Sequence, residues 1–237
     1  MEKPAVMKIL ENAQMAHEAG DFLGAARFYE EFFDQSRLVD PMAFYAIRLN
    51  NCLMGWKQLA DDFPGARMKL ADKAQEMLAL YETEKSPERF HDYWVIKKLC
   101  GELDEAIATF EALAAQTEVA PLAKFVWTDL VANARWPLCG SLLTRPEQKL
   151  DELFAVFDQA CGMKQLDPQF DTLAFDEHIV ETLLADTKMV VEVLRQTDRS
   201  SEVDSLARQF QQLVSQRQHA TLAKQVSAQG AYLFIGH

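Results

Sequence analysis

The chain lacks any apolar run of about 18 residues or more, the length that crosses a bilayer as a helix. Its 237 residues are 49% hydrophobic, yet no such run occurs among them. The amino-terminal stretch carries Glu2, Glu11 and Glu18 within its apolar pattern, so it lacks the apolar centre of a secretory signal peptide. These absences predict a cytoplasmic protein with no membrane partner.

Motifs for catalysis and metal binding are also missing. The sequence contains no phosphate-binding glycine loop, no serine nucleophile elbow and no zincin helix. The four cysteines are far apart, and none forms a C-x-x-C pair; they are Cys52, Cys100, Cys139 and Cys161. This spacing is typical of buried reduced thiols rather than of zinc ligands. We therefore expect no cofactor, no metal and no enzymatic activity.

Positive charge is scarce, with 24 Lys and Arg residues against 36 Asp and Glu residues and a net charge of −12. Binding to a phosphate backbone requires clustered Lys and Arg, so nucleic acid is not an expected partner. The balance differs only near the end of the sequence. No acidic side chain follows Asp204, whereas Arg208, Arg217 and Lys224 do.

Helical periodicity is clearest between Ser86 and Glu118. Pro87 suits the first turn of a helix, and the apolar residues that follow recur at helical spacing: Phe90, Tyr93, Trp94, Ile96 and Leu99. Gly101 is expected to end this helix in a left-handed conformation, and acidic residues then favour the start of a second one. No segment of the sequence alternates like a strand, so the predicted class is all-α.

The same arrangement recurs earlier in the chain, which predicts helix pairs at about 5–37, 41–83 and 86–118. The turn Gly20-Asp21-Phe22-x-x-Ala25 aligns without a gap with Gly101-Glu102-Leu103-x-x-Ala106. In the longer middle pair, Pro41 is expected to open the first helix, and Gly55 marks a kink or a close neighbour. Internal repeats of this length are typical of stacked helical units.

At these positions the chain resembles the tetratricopeptide repeat family over residues 5–119. The matching residues are Ala13, Gly20, Phe22, Ala25, Tyr29, Gly101, Ala106, Phe110 and Leu113. Trp94 departs from the pattern, because the family has a small residue there. The resemblance implies antiparallel helix pairs stacked as an α-solenoid in a domain of residues 1–119.

The resemblance also implies a function, since members of the family bind an extended peptide or a helix of a partner in a concave groove. The aligned groove positions are Leu10, Glu11, Gln14, His17, Glu18, His91, Asp92, Val95 and Lys98. Their carboxylates favour a protein partner with basic and apolar side chains. Glu88 and Asp92 are expected to repel a ligand that ends in a carboxylate, which argues against the chaperone-tail ligand of some members.

Residues 120–237 lose the repeat signature but keep helical periodicity, and we expect a carboxy-terminal helical bundle or cap that packs on the repeats. Trp136-Pro137 is expected to end one helix and begin a loop. The last helix is expected to run from about Thr197 to Gly230, with an apolar tail at 231–235 that is docked or binds a partner.

Two alternatives to an interaction module stay open. Asp176, Glu177, His178 and Glu181 could bind a metal or act as acid and base in a helical enzyme, although such a cluster is more often a solvated helix face. Alternatively, the last helix and the tail could form the contact of a self-associating structural protein, which would be a homo-oligomer.

Overall fold

The computed structural model describes residues 2–234, with all side chains among them except those of residues 229–232. These residues form twelve helices and no strand, which confirms the predicted all-α class. Within the same residues, no helix has both the length and the apolar character needed to cross a membrane.

The helices follow one another with short connections. They are α1 (Lys3–Glu18), α2 (Phe22–Val39), α3, α4 (Pro64–Glu84), α5 (Pro87–Leu99), α6 (Leu103–Ala114), α7 (Ala120–Ala132), α8 (Trp136–Leu142), α9 (Pro146–Leu166), α10 (Leu173–Gln196), α11 (Ser200–Ser215) and α12 (Ala220–Phe234). Helix α3 runs without a break through Tyr45–Ile47, a π-helical turn at Arg48–Cys52, and Leu53–Asp62.

Contacts between helices divide the chain into two compact units, Met1–Phe125 and Val126–His237. The division falls inside α7, close to the boundary that the sequence predicts at 119/120.

The first unit is built from consecutive helices that pack on one another. Helix α1 packs on α2, α3 and α4 pack on α2 and on each other, and α5 packs on α4. Gly20 and Gly101 both have φ of 76°, so both turns use the left-handed conformation predicted for Gly101. Large side chains fill the interior with less than 2% exposure; they include Phe32, Phe33, Trp56, Phe90, Trp94 and Phe110.

One predicted helix start in this unit is wrong. Helix α3 begins at Tyr45 rather than at Pro41, because residues 41–44 form a turn. The Asp40 carboxylate accepts a hydrogen bond of 2.9 Å from the backbone N–H of Ala43 and pairs with Lys3 at 2.7 Å. Asp40 thus supplies an acceptor to a backbone N–H ahead of the helix, in a contact of the N-cap kind.

In the second unit, α9, α10, α11 and α12 pack around Leu150, Phe154, Leu194, Leu206 and Phe210, all fully buried. Trp136-Pro137 begins helix α8 instead of a loop, since proline is tolerated in the first turn of a helix.

The predicted last helix is in fact two helices, α11 and α12. Chain direction changes at residues 216–219, where His219 Nδ1 accepts a hydrogen bond of 3.2 Å from the N–H of Leu222 and caps α12. Gly230 does not end α12, which continues to Phe234. Leu233 is 8% exposed, and the ring of Phe234 lies 5.5 Å from that of Phe210. The final residue of the predicted tail, Ile235, lies outside the described residues.

Candidate functional site

The predicted groove residues do not share one surface. Leu10 is 3% exposed and belongs to the core, and Asp92 is completely buried, so both predictions of a groove position are wrong. Glu11, Gln14, Glu18 and Lys98 are exposed, whereas His17, His91 and Val95 are half-buried. Gln14, His17 and Glu18 line one site in the first unit, whereas Asp92 and His91 belong to a second.

The first site is an open cavity of about 670 Å³, here named the amide cavity. Helix α1 contributes Gln14, His17 and Glu18, three of the predicted groove residues. Helix α2 contributes the ring of Tyr29. Helix α3 contributes four residues, Asn51, Met54, Gly55 and Gln58. The cavity therefore combines three amide groups with a single carboxylate.

Aromatic packing beside the amide cavity involves His17 and Tyr29. The His17 ring lies 6.1 Å from that of Phe22 and 6.4 Å from that of Tyr29, both edge-on. Burial raises the pKa of Tyr29 to about 12, so its hydroxyl stays protonated at neutral pH.

Gly55 permits the close approach of Tyr29 to α3, which confirms the close neighbour predicted at this glycine. A Cβ at Gly55 would lie 2.5 Å from the Tyr29 hydroxyl oxygen, well inside van der Waals contact. We expect Gly55→Ala to lower the free energy of unfolding by about 1–3 kcal/mol through overpacking. Urea denaturation followed by circular dichroism measures this change.

Gly162 provides a matched control in another helix, α9. A Cβ there would meet no atom within 4 Å. We expect Gly162→Ala to raise the free energy of unfolding by about 0.5–1 kcal/mol, because alanine favours a helix interior over glycine. Equal gains for the two variants would contradict the role assigned to the Tyr29 contact.

The second site is a buried charge cluster, here named the arginine cluster: Arg37, Arg48 and Asp92. Arg37 Nη1 pairs with Asp92 Oδ2, while Arg48 Nε and Nη2 lie 3.4 and 3.3 Å from Asp92 Oδ1. The three side chains are 11%, 1% and 0% exposed. Two cations thus share one carboxylate in the interior of the first unit.

Aromatic residues surround the arginine cluster. The Arg48 guanidinium lies 5.5 Å from the ring centre of Tyr45 and 5.7 Å from that of Phe33. The Tyr45 hydroxyl contacts His91 Nδ1, and the His91 ring stacks on Phe125 at 4.2 Å. The contacts of Arg48 place a cation near the two aromatic rings and partly offset its loss of water.

The local environment disfavours positive charge. Burial lowers the pKa of Arg37 to about 9 and that of Arg48 to about 10. Burial, together with the charges of Arg48 and Lys124, lowers the pKa of His91 to about 4. His91 is therefore neutral at pH 7, and its Nδ1 can accept the hydrogen bond that the Tyr45 hydroxyl donates.

The π-helical turn in α3 serves both sites. It buries Arg48 and Cys52, and it leaves Asn51 exposed at the amide cavity. A π-helical turn widens the helix by one residue and is frequent at functional positions.

The acidic cluster predicted on α10 does not converge on one point. Asp176 pairs with Lys164 and lies 3.4 Å from His219 Nε2, whereas Glu177, His178 and Glu181 are exposed. Across residues 2–234, no group of three or more His, Cys, Asp or Glu side chains is placed to hold a metal ion.

Sequence reasoning missed Arg37, Arg48 and Tyr45. Arg48 falls four residues after Phe44 and four before Cys52, so it lies on the apolar stripe of α3, and that position is a usable signal of burial. Its counter-ion Asp92 follows 44 residues later, a distance over which the sequence carries no pairing rule.

Comparison with known proteins gives no family assignment. The chain matches no protein-family model, no curated protein and no solved structure.

Proposed function

We propose that this chain is a helical interaction module of tetratricopeptide-like repeats that binds an extended segment of a partner protein in the amide cavity. The observation that carries the proposal is the position of Gln14, Asn51 and Gln58 around one cavity. An amide side chain offers both a donor and an acceptor, which is what the N–H and C=O groups of an extended peptide require.

The other residues of the cavity define the partner. Glu18 is exposed and favours a Lys or Arg side chain nearby. Met54 is 47% exposed, and a flexible thioether adapts to apolar side chains of different shape. The proposed ligand is therefore an extended peptide in which a basic residue lies close to an apolar one.

A peptide array probed with the intact chain tests this proposal. We expect the triple variant Gln14→Ala, Asn51→Ala, Gln58→Ala to lower affinity for selected peptides on the order of a hundredfold, because each hydrogen bond contributes about 1 kcal/mol. All three side chains are exposed, so the variant should fold normally.

Charge reversal at Glu18 tests the proposed preference for basic peptides. Glu18→Lys should weaken binding of basic peptides about fivefold or more, since an exposed ion pair contributes up to about 1 kcal/mol and reversal adds repulsion. Glu31→Lys, at another exposed position, is the matched control. Unchanged peptide binding in both the triple variant and Glu18→Lys would rule out the amide cavity as the binding site.

A further inference from the structure

A second cavity, of about 650 Å³, lies beside the arginine cluster and is here named the arginine cavity. Its lining includes Arg37 and Arg48, together with the apolar side chains Leu38, Met42, Met77 and Leu80. The volume is in the range of small-molecule sites, which combine apolar walls with a few polar groups.

Two guanidinium groups beside this cavity share a single carboxylate, so one of their positive charges is not balanced within the cluster. Asp92 is the carboxylate that both guanidiniums contact, and Arg48 Nη1 is buried with no hydrogen-bond partner among the described residues. A buried donor without a partner costs free energy, and a buried cation costs more unless it is paired. Burial lowers the pKa of both arginines, as expected for cations withdrawn from water.

Four acidic side chains also line the arginine cavity, and three of them already pair with a cation; the fourth, Glu88, is exposed and accepts a hydrogen bond of 2.9 Å from the Ser86 hydroxyl. Asp34 and Glu76 lie 2.9 and 2.7 Å from Lys73 Nζ, and Glu84 lies 2.8 Å from Arg89 Nε. These carboxylates are 42%, 50% and 43% exposed, so solvent screens them, whereas the arginines are buried. Such an arrangement tolerates one negative charge near the arginines and disfavours a ligand with several.

The apolar residues indicate the rest of the ligand. Leu38 and Met42 are 75% and 81% exposed beside the cavity, which is unusual for side chains of this size. A ligand with an apolar body would remove them from water.

We infer that the arginine cavity binds a small monocarboxylate with an apolar body, whose carboxylate lies against Arg37 and Arg48. Two guanidiniums recognise a carboxylate through paired, charge-assisted hydrogen bonds. Asp92 repels an added carboxylate, but the two guanidiniums outnumber it, so the cluster keeps a net positive charge that one carboxylate would balance. This site is separate from the amide cavity, and the inference does not depend on the proposed peptide function.

Isothermal titration of the intact chain with two acids tests the inference: N-acetyl-leucine and hexanoate, each compared with its amide. We expect saturable binding of at least one acid and binding of its amide at least tenfold weaker, because the amide lacks the charge. Equal binding of acid and amide, or no binding of either acid, would overturn the inference without the need for any variant.

The variant Arg48→Met tests whether the acid binds in the arginine cavity. It keeps side-chain length and leaves Arg37 and Asp92 as a balanced pair, so folding should be retained, while acid binding should fall at least tenfold. Arg37→Lys should also weaken binding, since lysine lacks the planar fork. Arg27→Met, which removes an exposed charge from the same helix as Arg37, is the control and should bind normally.

Binding of the acid to these variants distinguishes the arginine cavity from the amide cavity. The triple amide variant should bind the acid as well as the unmodified chain does, whatever its effect on peptides. Acid binding that survives Arg48→Met and Arg37→Lys would place the carboxylate elsewhere and overturn the inference.

Discussion

Asp92→Asn should lower the free energy of unfolding by about 3–5 kcal/mol, the loss typical of removing one partner from a buried ion pair. Asparagine fits the space of the carboxylate but carries no charge. Arg37 and Arg48 would then be two buried cations without their shared counter-ion, at 11% and 1% exposure. Urea denaturation of the intact chain followed by circular dichroism measures the loss.

Asp34→Asn is the matched control for this variant. Asp34 is 42% exposed, and its partner Lys73 keeps Glu76 at 2.7 Å. The expected loss is below about 1 kcal/mol, because solvent screens the Asp34 carboxylate and Lys73, although 4% exposed, retains Glu76 as a counter-ion. If Asp92→Asn and Asp34→Asn lowered stability equally, the arginine cluster would not depend on Asp92.

Comparing the stability losses of Asp92→Asn and Arg48→Met distinguishes the effect of charge from that of packing. The first variant leaves two cations and no anion, and the second leaves one of each. We therefore expect the larger loss in free energy of unfolding for Asp92→Asn, even though both variants remove a member of the arginine cluster. Similar losses would mean that packing, not charge, determines the stability of this region.

Trp94→Ala should lower the free energy of unfolding by about 3–5 kcal/mol, because a large buried side chain would leave a cavity. Trp94 is 1% exposed, and its ring lies 6.0 Å from that of Phe90 and 6.3 Å from that of Phe110. The higher helix propensity of alanine offsets less than 1 kcal/mol of this loss. Thermal and urea denaturation of the intact chain give the value.

This variant also tests the repeat resemblance at its weakest position. Tetratricopeptide-like packing favours a small residue where Trp94 lies, so a gain in stability with alanine would indicate that the tryptophan is the strained departure. Leu23→Ala, at a side chain 73% exposed, is the control and should change stability by no more than about 0.5 kcal/mol.

The candidate sites were only partly predictable. The repeat alignment selected Gln14, His17 and Glu18, which do line the amide cavity. It could not select Asn51 and Gln58, because the middle helix pair is longer than its neighbours and the repeat alignment does not extend to its positions. The same alignment placed Asp92 in a groove by its position in the first helix of the repeat, but the structure buries this side chain completely.

The sequence by itself determined the all-α class of this protein and its turns at Gly20 and Gly101. Helical periodicity and the left-handed glycines at Gly20 and Gly101 act within a few residues, so they can be interpreted without knowledge of the packing. Only the tertiary structure decided which polar residues are buried together. Arg37, Arg48 and Asp92 come from three helices and meet because those helices pack on one another. Burial and pairing depend on such contacts between distant segments, and periodicity within one helix does not specify them.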